Sequence, residues 1–342
     1  MTSLSGSDSN TTHNCLYRKA ISVCISGQPF WVRRVEASLR KYGGDRVKVV
    51  GLTSHCWNSA SKIKQALESD VLLRMGYRPG ARNIRGRAFD AAWHALRLLN
   101  PGARRVYYWL GTDVLRTFED WQRGQLRPAC FECAKKDSHI ADAPWLCEEL
   151  NRIGIKALSI PVTMCRLQAA DTPALPKEFA VLTYIPDSRY SFYGGECIYQ
   201  SARHLPEVRF DVVGGDGRWA PSSLPNLKFH GWQIDMGPHY RRATVVVRMV
   251  RHDGTGLTVV EGLCLARHVI YSLPLPYTTY VSWGDTEALN RHIQELLDRQ
   301  RRGALHPNDL GRRYAMREFD EQRGTEKLIS QLLEIGAGRR SR

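Results

Sequence analysis

Short apolar runs alternate with amphipathic stretches along most of the chain. Residues 20–25 (AISVCI), 46–52, 70–75 and 106–110 (VYYWL) are rich in branched and aromatic side chains. That is the pattern of parallel strands covered on both faces. Between them, a stretch running to residue 39, residues 62–68 and residues 89–99 space their apolar positions three and four apart, which predicts helices. Asn100-Pro101-Gly102 closes the last of these. Strand and helix alternate as in a doubly wound α/β domain. Such domains bind ligands at the carboxyl ends of their strands. Ser26 and Gly27, which follow the first strand, are therefore either ligand contacts or an ordinary turn.

The pattern restarts after residues 171–176, where Pro173 and Pro176 mark a short stiff linker. Residues 179–184 predict a strand, 185–195 a loop rich in Gly, Ser and Tyr, and 196–204 a helix. Residues 208–213 (VRFDVV) predict a strand ending in Gly214-Gly215-Asp216-Gly217. A short helix is expected at 240–243, then a strand at 245–247, a helix starting near 255–258, and a strand at 268–272. Helices dominate after residue 285, at 286–300, 310–319 and 326–335. The expected divisions are a tail over 1–15, one domain over 16–175, a second over 176–311, and C-terminal helices with a basic tail over 312–342.

The stretch between the strand at 245–247 and the next helix is Arg-His-Asp-Gly-Thr-Gly. A helix start offers unpaired N–H groups and a positive dipole end, and glycines let a phosphate approach the backbone. Arg248 and Arg251 add charge beside it. Asp253 and Glu261 lie eight residues apart on either side of that helix start. Amides for a pyrophosphate and carboxylates for hydroxyls suit a nucleotide sugar.

This stretch resembles the retaining, group-1 type glycosyltransferases of GT-B fold, whose motif is E-G-x-G-L-x-x-x-E. Asp253-Gly254-Thr255-Gly256-Leu257 and Glu261 keep its spacing, and the first acid is Asp rather than Glu. The resemblance extends to Phe210-Asp211-Val212-Val213-Gly214 and to Asn226-Leu227-Lys228-Phe229-His230-Gly231-Trp232. It implies two Rossmann-like domains facing across a cleft, with a C-terminal helix returning to the first. The second domain would hold the donor through Arg189, Gly214, Trp232, Arg248, Arg251, Gly254, Thr255, Gly256 and Leu257. Asp253 would contact the sugar and Glu261 the ribose. Asp113, in the Gly-Thr-Asp turn after residue 110, is the candidate on the acceptor side, or else a helix cap. The implied reaction is sugar transfer with retention to a glycan or lipid-linked acceptor, in bacterial surface polysaccharide or glycolipid synthesis. No metal or other cofactor is expected, and no Asp-x-Asp motif occurs.

Composition narrows the setting. The chain has 342 residues, enough for two domains, and a net charge of +15, of which +11 falls in residues 1–175. Arg74, Arg78, Arg82, Arg85 and Arg87 fall in one stretch without an acid. They read either as solvated surface or as a contact with an anionic membrane. No nucleic-acid-binding module accompanies them. Nine cysteines without framework spacing, and an N-terminus unlike a secretory signal, point to the cytoplasm, with peripheral attachment to the inner membrane face. Cys130-x2-Cys133 lacks the further pair that structural zinc needs. Two other readings stay open. A dehydrogenase-like enzyme would need a Gly-x-Gly-x-x-Gly that is missing, and a polyanion binder would rest on charge alone.

Overall fold

The computed structural model describes residues 20–53, 59–76, 78–80, 84–162 and 173–337. The first half runs β1 (Ile21–Gly27), α1 (Pro29–Gly43), β2 (Val47–Leu52), α2 (Ala60–Leu67), β3 (Val71–Met75), α3 (Ile84–Leu99), β4 (Arg104–Trp109), α4 (Thr112–Gln122), α5 (Pro128–Lys135), β5 (Ser138–Ala141), α6 (Pro144–Arg152) and β6 (Leu158–Ser159). All pairings are parallel, in the order β2-β1-β3-β4-β5-β6. Helices on both faces explain why β1 and β3 are apolar without alternation. Proline opens α1, α5 and α6, where its missing N–H costs nothing.

The second half runs β7 (Ala180–Tyr184), α7 (Gly195–His204), β8 (Arg209–Val213), β9 (Leu227–Phe229), α8 (Gly237–Arg242), β10 (Val245–Arg248), α9 (Leu257–Cys264), β11 (His268–Tyr271), β12 (Thr279–Tyr280), α10 (Thr286–Arg301), α11 (Asp309–Glu318) and α12 (Glu321–Ala337). Its sheet is also six-stranded and parallel, ordered β12-β11-β10-β7-β8-β9. Side-chain caps set two of the late helices: Asp285 accepts from Ala288 N, and Asn308 from Gly311 N.

Helix α12 leaves the second unit and lies on α1 of the first. Leu328, Ile329, Leu332 and Leu333 join a core with Ile21, Val32, Val35 and Leu39. Glu321 accepts from Ser38 Oγ at 3.0 Å and pairs with Lys41, and Glu326 pairs with Arg46. The expected linker lies partly outside the described residues. What is described of it is held by Arg267 and, at Pro176, by Gln300. The fully buried Arg267 side chain donates to the carbonyls of Pro173, Ala174, Ala243 and Leu265. Burial lowers its guanidinium to about 10, so it stays cationic at neutral pH.

The arginine stretch is surface only in part. Arg74 is a β3 residue, 6% exposed, with its guanidinium over Trp93. Arg78 pairs with Asp120 of α4. Arg82 lies outside the described residues, and Arg85 and Arg87 belong to α3. That helix begins five residues before the expected start because Ile84 and Ala88 face solvent, so the core-facing period starts later. Among the described residues no cluster of His, Cys, Asp and Glu could hold a metal ion, and no helix is long and apolar enough to cross a membrane.

Candidate functional site

The Asp253–Gly256 turn lies between β10 and α9, at the carboxyl end of the second sheet, and it meets the first domain directly. Gly111, at φ 127°, places its backbone against Gly254 N, and a Cβ there would collide with it. Gly254 abuts Leu110 O and the Asp142 carboxylate in the same way. Asp142, just beyond β5, is 2% exposed. Its Oδ1 accepts from Val162 N at 2.6 Å and its Oδ2 from Thr255 N at 2.9 Å, and Thr255 Oγ1 donates back to Asp142 O at 3.2 Å. Trp145 Nε1 donates to Asp253 O from the first domain, and Tyr271 Oη donates to Gly254 O from the second. A hydrogen bond between His252 Nε2 and Glu149 Oε2 at 2.8 Å and an ion pair of Arg251 with Glu119 at 3.5 Å flank this contact.

Several expected roles change as a result. Gly254 and Thr255 serve the approach of the two domains, since the Thr255 amide is given to Asp142 rather than held for a phosphate. Arg251 is exposed and reaches α4 rather than the start of α9. Asp253 Oδ2 accepts two hydrogen bonds from Arg248, at 3.1 Å from Nε and 2.6 Å from Nη2. Burial works to lower the Arg248 guanidinium, but Asp253, with Tyr193 and Tyr271, outweighs it and raises it. Arg248 therefore fixes Asp253 first. Asp113 proves to be a cap. Its carboxylate, in the first turn of α4, accepts from Leu110 N and Gly111 N just before the helix and from Val114 N within it. Burial raises it to about 6 against those amide bonds. A carboxylate so occupied shapes the turn, with Oδ1 taking three amides and Oδ2 only the longer branch of the bond from Leu110 N.

Other expected residues stay near the start of α9. Gly256 is its N-cap without any side-chain cap, and Leu257 is its first residue. The Thr258 hydroxyl beside it is buried with no partner among the described residues. Glu261, one turn on, is 8% exposed, and its Oε2 accepts from Tyr240 Oη at 2.9 Å. Burial raises the carboxyl, while Tyr240 and the Arg34 charge from α1 pull it down, so Glu261 faces the first domain. Arg189 lies over Phe192 at 4.3 Å and Tyr193 at 5.4 Å, beside Arg248, whose guanidinium is 4.8 Å from the Tyr193 ring. Gly214 sits under the Tyr184 ring. The amides that follow it, of Asp216, Gly217 and Arg218, are gathered by Asp187. Trp232 is 69% exposed next to Ile234. In the first domain the Ser26 hydroxyl is buried without a partner among the described residues, and Gly27 packs on Met75 O. A groove of about 890 Å³ between β6 and α12 lies apart from all of these.

Asp142, Trp145 and Tyr240 were not legible as site residues. One signal was present for Asp142: it ends a strand, the position where doubly wound sheets present ligand contacts.

No protein-family model matches the chain, and no curated protein matches it. Solved structures do. HepE of Anabaena, crystallised with UDP and glucose, is 12% identical, with a TM-score of 0.66 over 92% of this chain and 100% of that one. Sucrose-phosphate synthase of Thermosynechococcus elongatus is 15% identical, with a TM-score of 0.65 over 93% and 100%. The fold is GT-B. A glycosyltransferase from Rickettsia africae has the same shape at 12% identity and a TM-score of 0.60, covering 92% of this chain and 98% of its own. In this GT-B chain the cleft between the two Rossmann-like domains is the seam at Gly111, Asp142 and Gly254.

Proposed function

We propose that the chain transfers a sugar from a nucleotide-diphosphate donor to a glycan or lipid-linked acceptor, with retention at the anomeric carbon. The observation that carries this reading is the uncapped start of α9 in the cleft. Its Gly256–Thr258 backbone has no side-chain cap, the Arg248 guanidinium lies beside Gly256 and shares the Tyr193 ring with Arg189, and the Glu261 carboxylate sits one turn on. A helix start of this kind favours a diphosphate, and in this reading Glu261 accepts from the ribose hydroxyls through Oε1. The structures crystallised with UDP among those of similar shape support the same donor class.

In the transfer, the bond from the anomeric carbon to the diphosphate oxygen breaks as the acceptor oxygen bonds to that carbon from the same face, and the acceptor hydroxyl's proton passes to the departing diphosphate oxygen. Negative charge grows on the leaving diphosphate. Helix-start amides and arginines already fixed in place stabilise it without reorganising. No step in this reading calls for a metal. The Thr255 amide becomes available to a donor only when it leaves Asp142, so donor entry is coupled to opening of the cleft.

A thermal-shift screen of UDP-, GDP-, ADP- and TDP-sugars tests this. A donor at about 100 times its Kd stabilises the native state by about 2.7 kcal/mol. One of the four should raise the melting temperature of the wild type and fail to raise that of Glu261→Ala. A flat response to all four would overturn the reading.

A further inference from the structure

Helix α3 carries two apolar faces, and only one of them is covered. Trp93 and Leu96 pack into the first domain's core. On the opposite side Ile84, Ala88, Ala91, Ala95 and Leu98 recur at intervals of four, three, four and three, with Leu99 beside them, and all are exposed. Ile84 is 87% exposed, Leu98 79% and Leu99 67%. A helix at the surface of a globular domain normally shows one such stripe. A continuous exposed stripe with large apolar residues at both ends marks a contact surface.

Charge selects the occupant. At 100° per residue, Arg87 falls about 60° from the centre of the stripe, and it is exposed. The helix sequence holds Arg85, Arg87 and Arg97 against Asp90 alone, with Arg97 turned to the core side at Cys133, so Arg87 supplies the charge beside the stripe. Just past its C-terminal end a cavity of about 190 Å³ is lined by Arg104, Lys136 and the Arg105–Asp137 ion pair, a net positive lining. Pairing α3 with a second copy would set two domain halves of +11 against each other. An anionic bilayer meets the same surface with opposite charge.

We propose that α3 lies in the plane of an anionic membrane surface. Ile84, Leu98 and Leu99 enter the boundary between head groups and acyl chains, and Arg87 sits at the level of the lipid phosphates. An apolar face flanked by cationic residues is the form an interfacial helix takes. Because α3 follows β3, its first turn lies at the cleft end of the sheet. Docking through it brings the cleft rim to the bilayer, and only the benefit to a lipid-borne acceptor rests on the glycosyltransferase reading.

Flotation of the full chain with phosphatidylglycerol–phosphatidylcholine vesicles, against phosphatidylcholine alone, tests the proposal. The wild type should float with the anionic vesicles and much less with the neutral ones. Ile84→Gln, Leu98→Gln and Leu99→Gln together should lower the partition coefficient by about tenfold or more, and Arg87→Glu by roughly fivefold. The donor-induced thermal shift should survive these changes, which separates failure of this proposal from failure of the activity. Wild-type protein that stays unbound, or a triple variant that floats equally, would overturn it. So would a dimer in light scattering that the triple variant converts to monomer, because a second copy would then cover the stripe. Should the triple variant melt early, Ala91→Cys carrying an environment-sensitive dye gives an independent readout: a blue shift on anionic vesicles is expected, and its absence counts against docking.

Discussion

The two halves share one plan, six parallel strands with helices on both faces, yet they bring opposite chemistry to the seam between them. The first half carries most of the positive charge, but what it presents across the cleft is acidic: Asp142, Glu149 and Glu119. The second half is nearly neutral, and it answers with an amide, a histidine and an arginine from residues 251–255. Net charge therefore describes the outer surface of the first domain, α3 included, and not its cleft. The contact is local, made by a few buried or half-buried groups whose pairing does not depend on the sum over the domain.

The largest expected effect tests whether the second domain is tied to the linker by one side chain. Arg267→Ala leaves the buried carbonyls of Ala243 and Leu265, and the more exposed ones of Pro173 and Ala174, without their donor, and should cost about 3 kcal/mol in urea unfolding. A loss below about 1 kcal/mol would mean the linker is held elsewhere.

Asp113 tests the same idea of a single fixing group in the first domain. Its native value is raised from 3.8 to about 6, chiefly by burial. The folded protein thus holds that proton more tightly than the unfolded chain does. The stability this confers is complete below about pH 4 and lost as pH rises through about 6, a change of up to about 3 kcal/mol. Asp113→Asn should remove that part of the pH dependence. Parallel wild-type and variant profiles would place the ionisation elsewhere.

Gly111→Ala addresses the seam itself. The new Cβ meets Gly254 N, and φ 127° is a region that side chains avoid, so a loss of about 2 kcal/mol, or a larger radius of gyration in X-ray scattering, is expected. Unchanged stability and size would mean the domains tolerate a wider gap. The smallest effect belongs to Asp142→Asn, which keeps the shape but loses one of two amide bonds, about 1 kcal/mol. Hydrogen exchange at Thr255 should quicken; equal rates would remove Asp142 from the contact.

Much of this was legible before any coordinates. The apolar runs at 20–25, 70–75 and 245–247 gave strands because both of their faces are buried. Gly256 and Leu257 marked a helix start because glycine and a periodic run are local signals. What misled was also local. Asp113 carries the same side chain whether it faces a substrate or caps α4, and Arg74 the same guanidinium whether solvated or under Trp93. Residues 84–88 hid a helix because their apolar positions point away from the core.

Taken alone, the chain's order of residues settled the alternation of strands and helices, the place of the glycine turn and the basic excess of the first half, since each follows from neighbours a few positions apart. The pairing of Asp142 with Thr255, 113 positions away, the return of α12 to α1, and the uncovered stripe of α3 were decided only when the two sheets were set against each other. Burial and partnership are properties of surfaces brought together in space, and separation along the chain carries no information about them.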